Sequence, residues 1–360
     1  MKKNKKLHIW IGLPLLLLAC NVGGAAPTPA TDLFATLSAS TPFAASASPI
    51  ATFAQTPTFS SILSTPVPPS AAPTTASAQT SSPAEQPKGK IVFTCQIFKT
   101  QASNQICIIN ADGSGFQRLT ADENRQHYYP SLSPDGQSVA YAAFLKANIY
   151  EIYEMNLATG KVIQLTNKLG NLNAPEISPD GKQIVFKLWS ANLDKNVIWV
   201  MERNGNSPDK ISRVEGWDPT WSPDGEYVLF ASDVEGATQL FRMRVNGKDM
   251  HRVSSLPAIR GRSDWSADGQ FIVTYSGDSW QHEIYLMNAD GSNAHIISPL
   301  GGNAQGPSFS PDGQWVTFTA YYDAYGDENG CEIYVMRVDG TDLRRLTYND
   351  YCDYQPRWGP

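Results

Sequence analysis

Short runs of apolar residues recur along most of this chain, each too short for a helix and each broken by a turn signal. Val139-Ala140-Tyr141, Ile184-Val185-Phe186, Val228-Leu229-Phe230, Ile272-Val273-Thr274 and Val316-Thr317-Phe318 are the first such run in successive units. A second run follows each one, as in Glu151–Met155, Val197–Met201, Glu283–Met287 and Glu332–Met336, with apolar and polar residues alternating. A period of two bounded by Gly and Pro predicts half-buried β-strands. Ahead of the first run stands a near-invariant tetrapeptide: Ser133-Pro134-Asp135-Gly136, Ser178–Gly181, Ser222–Gly225, Ser266-Ala267-Asp268-Gly269 and Ser310–Gly313. Its glycines are 45, 44, 44 and 44 residues apart. Asp tolerates turn geometry and the glycine after it takes a positive φ cheaply, so these carboxylates are turn residues rather than a catalytic array.

Counting the strand that leads into each tetrapeptide and a short one ending near Leu119-Thr120, Leu165-Thr166 or Leu346-Thr347, every unit has four strands. Four short strands per repeat of this length is the spacing of a β-propeller. The folded part begins with Gly89-Lys90-Ile91-Val92-Phe93, which matches the segment after each Pro-Asp. It finishes with Gln355-Pro356-Arg357-Trp358-Gly359-Pro360, which matches the segment before it. The expectation is an all-β, six-bladed β-propeller of four-stranded blades over residues 88–360, closed by the C-terminal strand completing the N-terminal blade. Closure removes the exposed sheet edges that invite aggregation. Leu132, Ile177, Trp221, Trp265, Phe309 and Trp358 share one repeat position and are expected to pack between blades.

These repeats resemble the propeller repeats of the TolB family, which are related in pattern to WD40-like repeats. The resemblance covers residues 88–360 and implies the fold. It leaves function open, because propellers of this type serve many roles. A Ser/Thr/Pro-rich segment stands where the Tol-associated protein has an additional α/β domain.

The first 87 residues differ in composition. Residues 1–19 hold four lysines and then a mostly apolar run from Leu7 to Ala19, a secretory signal pattern too short to read as a membrane span. Leu17-Leu18-Ala19-Cys20 resembles the bacterial lipobox, which implies cleavage before Cys20 and lipidation of its thiol. Several acyl chains at roughly 0.8 kcal/mol per buried methylene make a stable tether. Residues 20–87 are rich in Ala, Ser, Thr and Pro, with Asp32 and Glu85 as their charged side chains. Such a segment is expected to stay disordered and to act as a stalk about 45 Å in end-to-end distance. The expected location is extracytoplasmic and lipid-anchored, on the outer-membrane or periplasmic side or at the cell surface, according to the host envelope.

The formal charge of −6 becomes −10 once the four signal lysines are taken away. That balance argues against a nucleic-acid partner, and the membrane is expected to be met only through the N-terminal anchor.

Loops at one end of the strands vary most, and binding residues favour such loops on a rigid scaffold. The last unit departs furthest from the repeat. Residues 321–331 and 348–354 place Tyr321, Tyr322, Tyr325, Tyr348, Tyr351 and Tyr354 near one another, a set suited to an interface. Asp323, Asp327, Glu328, Asp350 and Asp353 in the same loops have the oxygen chemistry for Ca²⁺, although their spacing fits no known calcium loop. A second candidate group lies at the channel mouth: His127, Tyr128, Trp217, Arg260, Arg262 and Asp264. Without Cys20, four cysteines remain and permit three pairings. Cys95 with Cys107 and Cys331 with Cys352 is the favoured one, because the first two fall on consecutive strands and the others border adjoining loops.

No nucleophile elbow and no His-Glu-x-x-His motif is present. The leading expectation is a non-catalytic binding scaffold for an envelope protein or a glycan. A polysaccharide-binding or polysaccharide-active propeller and a Tol–Pal-like envelope assembly component are the alternatives.

Overall fold

The computed structural model describes residues 86–97, 103–122, 124–146, 149–259, 261–278, 280–322 and 331–360. The expected signal peptide, the lipidated Cys20 and the stalk lie outside them. Among the described residues the regular structure is entirely β.

In chain order the first strands are β1 (Lys90–Gln96), β2 (Asn104–Asn110) and β3 (Gln117–Arg118). Next come β4 (His127–Leu132), β5 (Ser138–Lys146), β6 (Ile149–Asn156), β7 (Val162–Gln164), β8 (Asn171–Ile177), β9 (Gln183–Ser190), β10 (Lys195–Glu202) and β11 (Asp209–Lys210). Three further groups follow: β12 (Trp217–Trp221), β13 (Tyr227–Ser232), β14 (Gln239–Arg244) and β15 (His251–Arg252); β16 (Asp264–Trp265), β17 (Phe271–Asp278), β18 (Gln281–Asn288) and β19 (His295–Ile296); β20 (Gln305–Phe309), β21 (Trp315–Ala320), β22 (Glu332–Arg337) and β23 (Arg344–Arg345). The last strand is β24 (Asp353–Gly359).

The sheet arrangement corrects the expectation of six separate four-stranded blades. Four sheets are separate four-stranded blades, with orders β24-β1-β2-β3, β12-β13-β14-β15, β16-β17-β18-β19 and β20-β21-β22-β23. Strands β4 to β11 instead form one eight-stranded sheet. Its two halves are joined by a parallel pairing of Tyr150 on β6 with Asn171 on β8, where the Tyr150 N–H donates to the Gly170 carbonyl at 3.3 Å. The physical reason is an uncovered edge. Strand β7 pairs only Tyr153, Glu154 and Met155, which leaves the far end of β6 free to bond the incoming β8. Repeat spacing carries no information about such a lateral contact.

The chain ends do close the ring. β24 lies antiparallel to β1, with Lys90 opposite Gly359, Ile91 opposite Trp358 and Val92 opposite Arg357. Trp358 is buried with Ile91, Phe93, Trp315, Ile333 and Val335, and its indole N–H donates to the Lys88 carbonyl at 2.8 Å. The five residues at the same repeat position, Leu132, Ile177, Trp221, Trp265 and Phe309, are also buried. Trp221 shows how they join neighbours: it packs on Val185, Ile198 and Val200 of the preceding sheet and on Val228 and Phe230 of its own.

The tetrapeptide turns are built alike. Ser133 Oγ donates to Asp135 at 2.5 Å and accepts the Ser138 N–H at 2.9 Å, while Gly136 holds a φ of 66°. A left-handed φ is inexpensive only for glycine, which explains its recurrence.

Two disulfides are formed. Cys95–Cys107 links β1 to β2, with Cα atoms 5.8 Å apart. Cys331–Cys352 links the start of β22 to the loop before β24, with Cα atoms 4.4 Å apart. The Asp353 N–H donates to the Cys331 carbonyl and the Gln96 N–H to that of Cys352, so this second bridge sits where the ring closes.

Candidate functional site

The leading strand of a blade runs along the central channel, and a bulge interrupts it at a fixed place. Register shifts occur between Tyr128 and Ser131, Asn173 and Glu176, Trp217 and Thr220, and Gln305 and Ser308, with a matching one opposite β24. Tyr129, Ala174, Asp218, Gly306 and Gln355 sit in these bulges with φ values of 50° to 58°. Each stands four residues before the Ser of its tetrapeptide, or before Gly359. Non-glycine residues pay for that backbone, and bulges commonly re-aim a side chain at a site. Here they bring Tyr129, Asp218 and Gln355 to the channel mouth.

The mouth is a cavity of about 680 Å³, lined in part by Tyr129, Asp218, Arg262, Tyr275, Tyr354 and Gln355, with Trp280 at its rim. It opens among the loops that join the middle strands and successive blades. Arg262 donates to the carbonyls of Gln355 at 3.0 Å and Pro130 at 2.8 Å, with its guanidinium 5.7 Å from the Tyr129 ring centre. Burial lowers the Arg262 pKa to about 9, and burial raises that of Asp218. The Asp218 charge, with burial, holds the Tyr129 hydroxyl firmly protonated. Gln355 Oε1 accepts from the Tyr129 N–H and the Thr94 hydroxyl, each at 3.0 Å. Trp280 is 82% exposed at a φ of 66°.

A second ring lies two residues further along each leading strand: Ser131, Glu176, Thr220, Asp264, Ser308 and Arg357. Glu176 accepts from the Thr220 hydroxyl at 2.6 Å and the Trp221 N–H at 3.2 Å. Asp264 likewise accepts from the Ser308 hydroxyl at 2.7 Å and the Phe309 N–H at 3.0 Å. Arg357, on the closing strand, donates to Glu176 at 3.0 Å and to the Ser263 carbonyl at 3.0 Å, and lies 3.7 Å from Asp264. One cation thus ties two acids from different sheets.

The structure divides the residues proposed for the mouth. Arg262 lies in it, and Asp264 belongs to the deeper ring. Tyr128 accepts from Asn104, which in turn accepts from the Tyr354 hydroxyl at 2.8 Å. Trp217 is half-buried and packs with Leu229, Ala231 and Leu240. His127 is buried against Tyr141, with ring centres 5.6 Å apart, and burial lowers its pKa to about 4, so it does not converge with Asp264. Arg260 lies outside the described residues.

The tyrosine group is also dispersed. Tyr321 and Tyr354 line the cavity, whereas Tyr322 is buried edge-on to Tyr334. Tyr348 is an exposed rim residue beneath Arg345, and Tyr351 is half-buried. Tyr325, Asp323, Asp327 and Glu328 lie outside the described residues. Asp350 is exposed and Asp353 is buried. Among the described residues no group of three or more His, Cys, Asp or Glu is arranged to hold a metal ion.

Sequence reasoning missed Tyr129, Asp218 and Gln355. Their signal was a fixed offset from the tetrapeptide. It also missed a buried or half-buried acid or amide near the start of the third strand of several blades. Glu151, Gln239, Glu283 and Glu332 each accept a hydroxyl hydrogen bond from Thr166, Ser254, Ser298 and Thr347 respectively. Each also accepts a backbone N–H from the loop to the next blade, at Lys168, Leu256, Gly301 and Asn349. These side chains fix the connecting loops that frame the mouth.

At the seam this device brings two acids together. Glu332 is paired with Arg345 at 2.8 Å, and Asp353 accepts from the Asn349 amide at 2.9 Å. Burial and the neighbouring Glu332 raise the Asp353 pKa to about 7, from an ordinary 3.8. The folded state therefore holds that proton more tightly than the unfolded chain. Its contribution to stability is complete below about pH 4 and is lost as pH rises to about 7. Asp353→Asn keeps a neutral partner for Asn349, and is expected to raise stability at pH 8 by about 2–4 kcal/mol relative to its effect at pH 4. Chemical unfolding across that range checks it; a pH-independent difference contradicts it.

A closed ring of tetrapeptide-turn blades, several of them presenting bulged residues to one channel mouth, defines a β-propeller scaffold of a particular kind. The chain belongs to the PD40 family, the TolB beta propeller domain, whose model matches residues 86–326. It is 33% identical over 112 residues to an uncharacterized protein of Agrobacterium fabrum, covering 31% of this chain and 37% of that protein. It is 29% identical over 120 residues to the Tol-Pal system protein TolB of Francisella tularensis subsp. tularensis, covering 33% and 27%. The crystal structure of TolB from Acinetobacter baumannii superposes with a TM-score of 0.66 at 25% identity, over 76% of this chain and 67% of that one. The matched region thus spans about a third of the curated relatives' own length.

Proposed function

We propose that this protein is a non-catalytic scaffold that binds a protein partner at the bacterial envelope, as a Tol–Pal-like assembly component, through the mouth of its channel. The observation that carries this reading is the mouth itself. Bulges at a fixed position aim Tyr129, Asp218 and Gln355 into a cavity of about 680 Å³, and an exposed indole stands at its edge. Pockets of about 300–1,000 Å³ with a few convergent polar groups are typical of ligand sites. Exposed tryptophan at the rim is the kind of side chain that dominates protein interfaces. Membership of the TolB propeller family supports an envelope protein as the partner. Kinship to TolB and two disulfides support an extracytoplasmic location. Cys20 is proposed as the lipid attachment point and residues 20–87 as the stalk that lets the propeller reach its partner.

The test is affinity capture from detergent-solubilised envelopes with the whole chain, followed by titration of the captured protein. Trp280→Ala is expected to weaken that protein's binding by about tenfold or more, the loss typical of an interface anchor. The melting temperature should stay put, because the indole is exposed. Equal affinity in the variant, or no saturable protein partner, sinks the proposal.

A further inference from the structure

The two disulfides sit in opposite surroundings. Cys95 and Cys107 are 3% and 1% exposed and pack among Ile91, Phe93, Ile109 and Trp315. Cys331 and Cys352 are half-buried instead, and both contribute to the wall of the channel mouth. A thiolate attacks a disulfide only where it can reach a sulfur, so buried bridges stay inert and accessible ones exchange.

Its position gives the accessible bridge a structural role. It joins Cys331, just before β22, to Cys352, just before β24, across a sequence separation of 21. On either side of it the Asp353 N–H donates to the Cys331 carbonyl at 2.7 Å, and the Gln96 N–H donates to the Cys352 carbonyl at 3.1 Å. The bridge therefore holds the start of the closing strand against both the last blade and the far end of β1. With the bond open, Cys352 is tied to Cys331 only through the intervening chain, whose freedom grows with its length. The Cys95–Cys107 bridge has no comparable role, because it joins two strands already paired along their whole length.

We propose that Cys331–Cys352 is a thiol–disulfide exchange site, opened in the folded protein by a small dithiol that enters the mouth, and that opening it unlatches the closing strand. A thiolate of the dithiol attacks one cysteine sulfur. The S–S bond breaks as a mixed disulfide forms, and the departing sulfur takes a proton from water. The second thiol of the reagent then attacks the mixed disulfide and closes its own S–S bond, releasing the other cysteine. The dithiol is oxidised by two electrons and the cysteine pair is reduced by two. A cavity of about 680 Å³ admits a reagent of that size. Exchange needs only access to the sulfurs and does not rest on the protein-binding reading of the mouth.

The experiment exposes the whole chain to dithiothreitol under native conditions, traps free thiols with N-ethylmaleimide at intervals, and maps the label peptide by peptide. Cys331 and Cys352 are expected to be labelled at least about 100-fold faster than Cys95 and Cys107. Their rate should be proportional to dithiol concentration and unmoved by mild urea. Hydrogen exchange after reduction should rise about tenfold or more at the Gln96 and Asp353 amides, while β12–β15 and β16–β19 keep their protection. The double variant Cys331→Ser, Cys352→Ser should show that exchange pattern without any dithiol. Labelling of all four cysteines together, at a rate that climbs with urea, would mean that the bridge opens only on unfolding and overturns the exchange site. Resistance of Cys331–Cys352 to dithiol in the folded protein overturns it equally. Unchanged exchange at Gln96 and Asp353 after reduction overturns the latch.

Discussion

Arg357→Ala is expected to cost about 3–5 kcal/mol of unfolding free energy, among the largest effects of any single substitution in this protein. Removing one partner of a buried ion pair leaves an uncompensated charge, and that penalty exceeds what the pair itself contributes. Arg357 is 5% exposed, and it holds Glu176 at 3.0 Å while lying 3.7 Å from Asp264. Burial already raises the Glu176 pKa, and Arg357 is the principal group opposing the rise. Without the guanidinium that pKa climbs further above the unfolded value. The loss should then be smaller at pH 5, where the carboxyl can protonate, and larger at pH 8. Glu176→Gln in the Arg357→Ala background is expected to recover part of the stability, since a neutral amide still accepts from Thr220 and Trp221. A double-mutant cycle by chemical denaturation reads this directly. Additive effects would show that the two residues do not act together.

Trp358→Ala is expected to cost a further-ranging 3–5 kcal/mol, about the usual range for deleting a large buried aromatic. The same truncation at Trp221 removes a side chain at the same repeat position and of similar burial. The two should nevertheless differ in where the protein loosens. Trp221 is covalently continuous with its own blade, whereas β24 is held to β1 only by its hydrogen bonds, its packing and the nearby Cys331–Cys352 bridge. Hydrogen exchange in Trp358→Ala is therefore expected to rise first at residues 91–95, ahead of the rest of the fold. Uniform acceleration across all sheets would mean that closure is not the weak point.

Much of this was legible in the chain. The tetrapeptide at near-constant spacing revealed the strands, the turns and the closure by Gln355–Pro360, because each is a local consequence of period-two patterning and a glycine that needs a positive φ. The buried aromatic position before each Ser was legible for the same reason. The fusion of β4–β11 into one sheet was not, since it depends on how much of β6 the short β7 leaves uncovered. The mouth was only partly legible. Arg262 stood out by charge, while Tyr129 and Gln355 are ordinary residues made special by a bulge. His127 looked chemically capable, yet its neighbours are Tyr141 and the loop before β4 rather than the channel. The Glu332–Asp353 interaction joins the first residues of β22 and β24, far apart in sequence, and is visible only once the seam is closed.

On the proposed reading a protein partner occupies the channel mouth. A photoreactive benzoylphenylalanine at position 280 of the whole chain, irradiated in the intact envelope, tests it most directly, with position 224 in an exposed turn on the opposite face as the control. A light-dependent adduct with an envelope protein is expected from position 280 and none from position 224. Adducts from position 224 alone, or none from position 280, would contradict it.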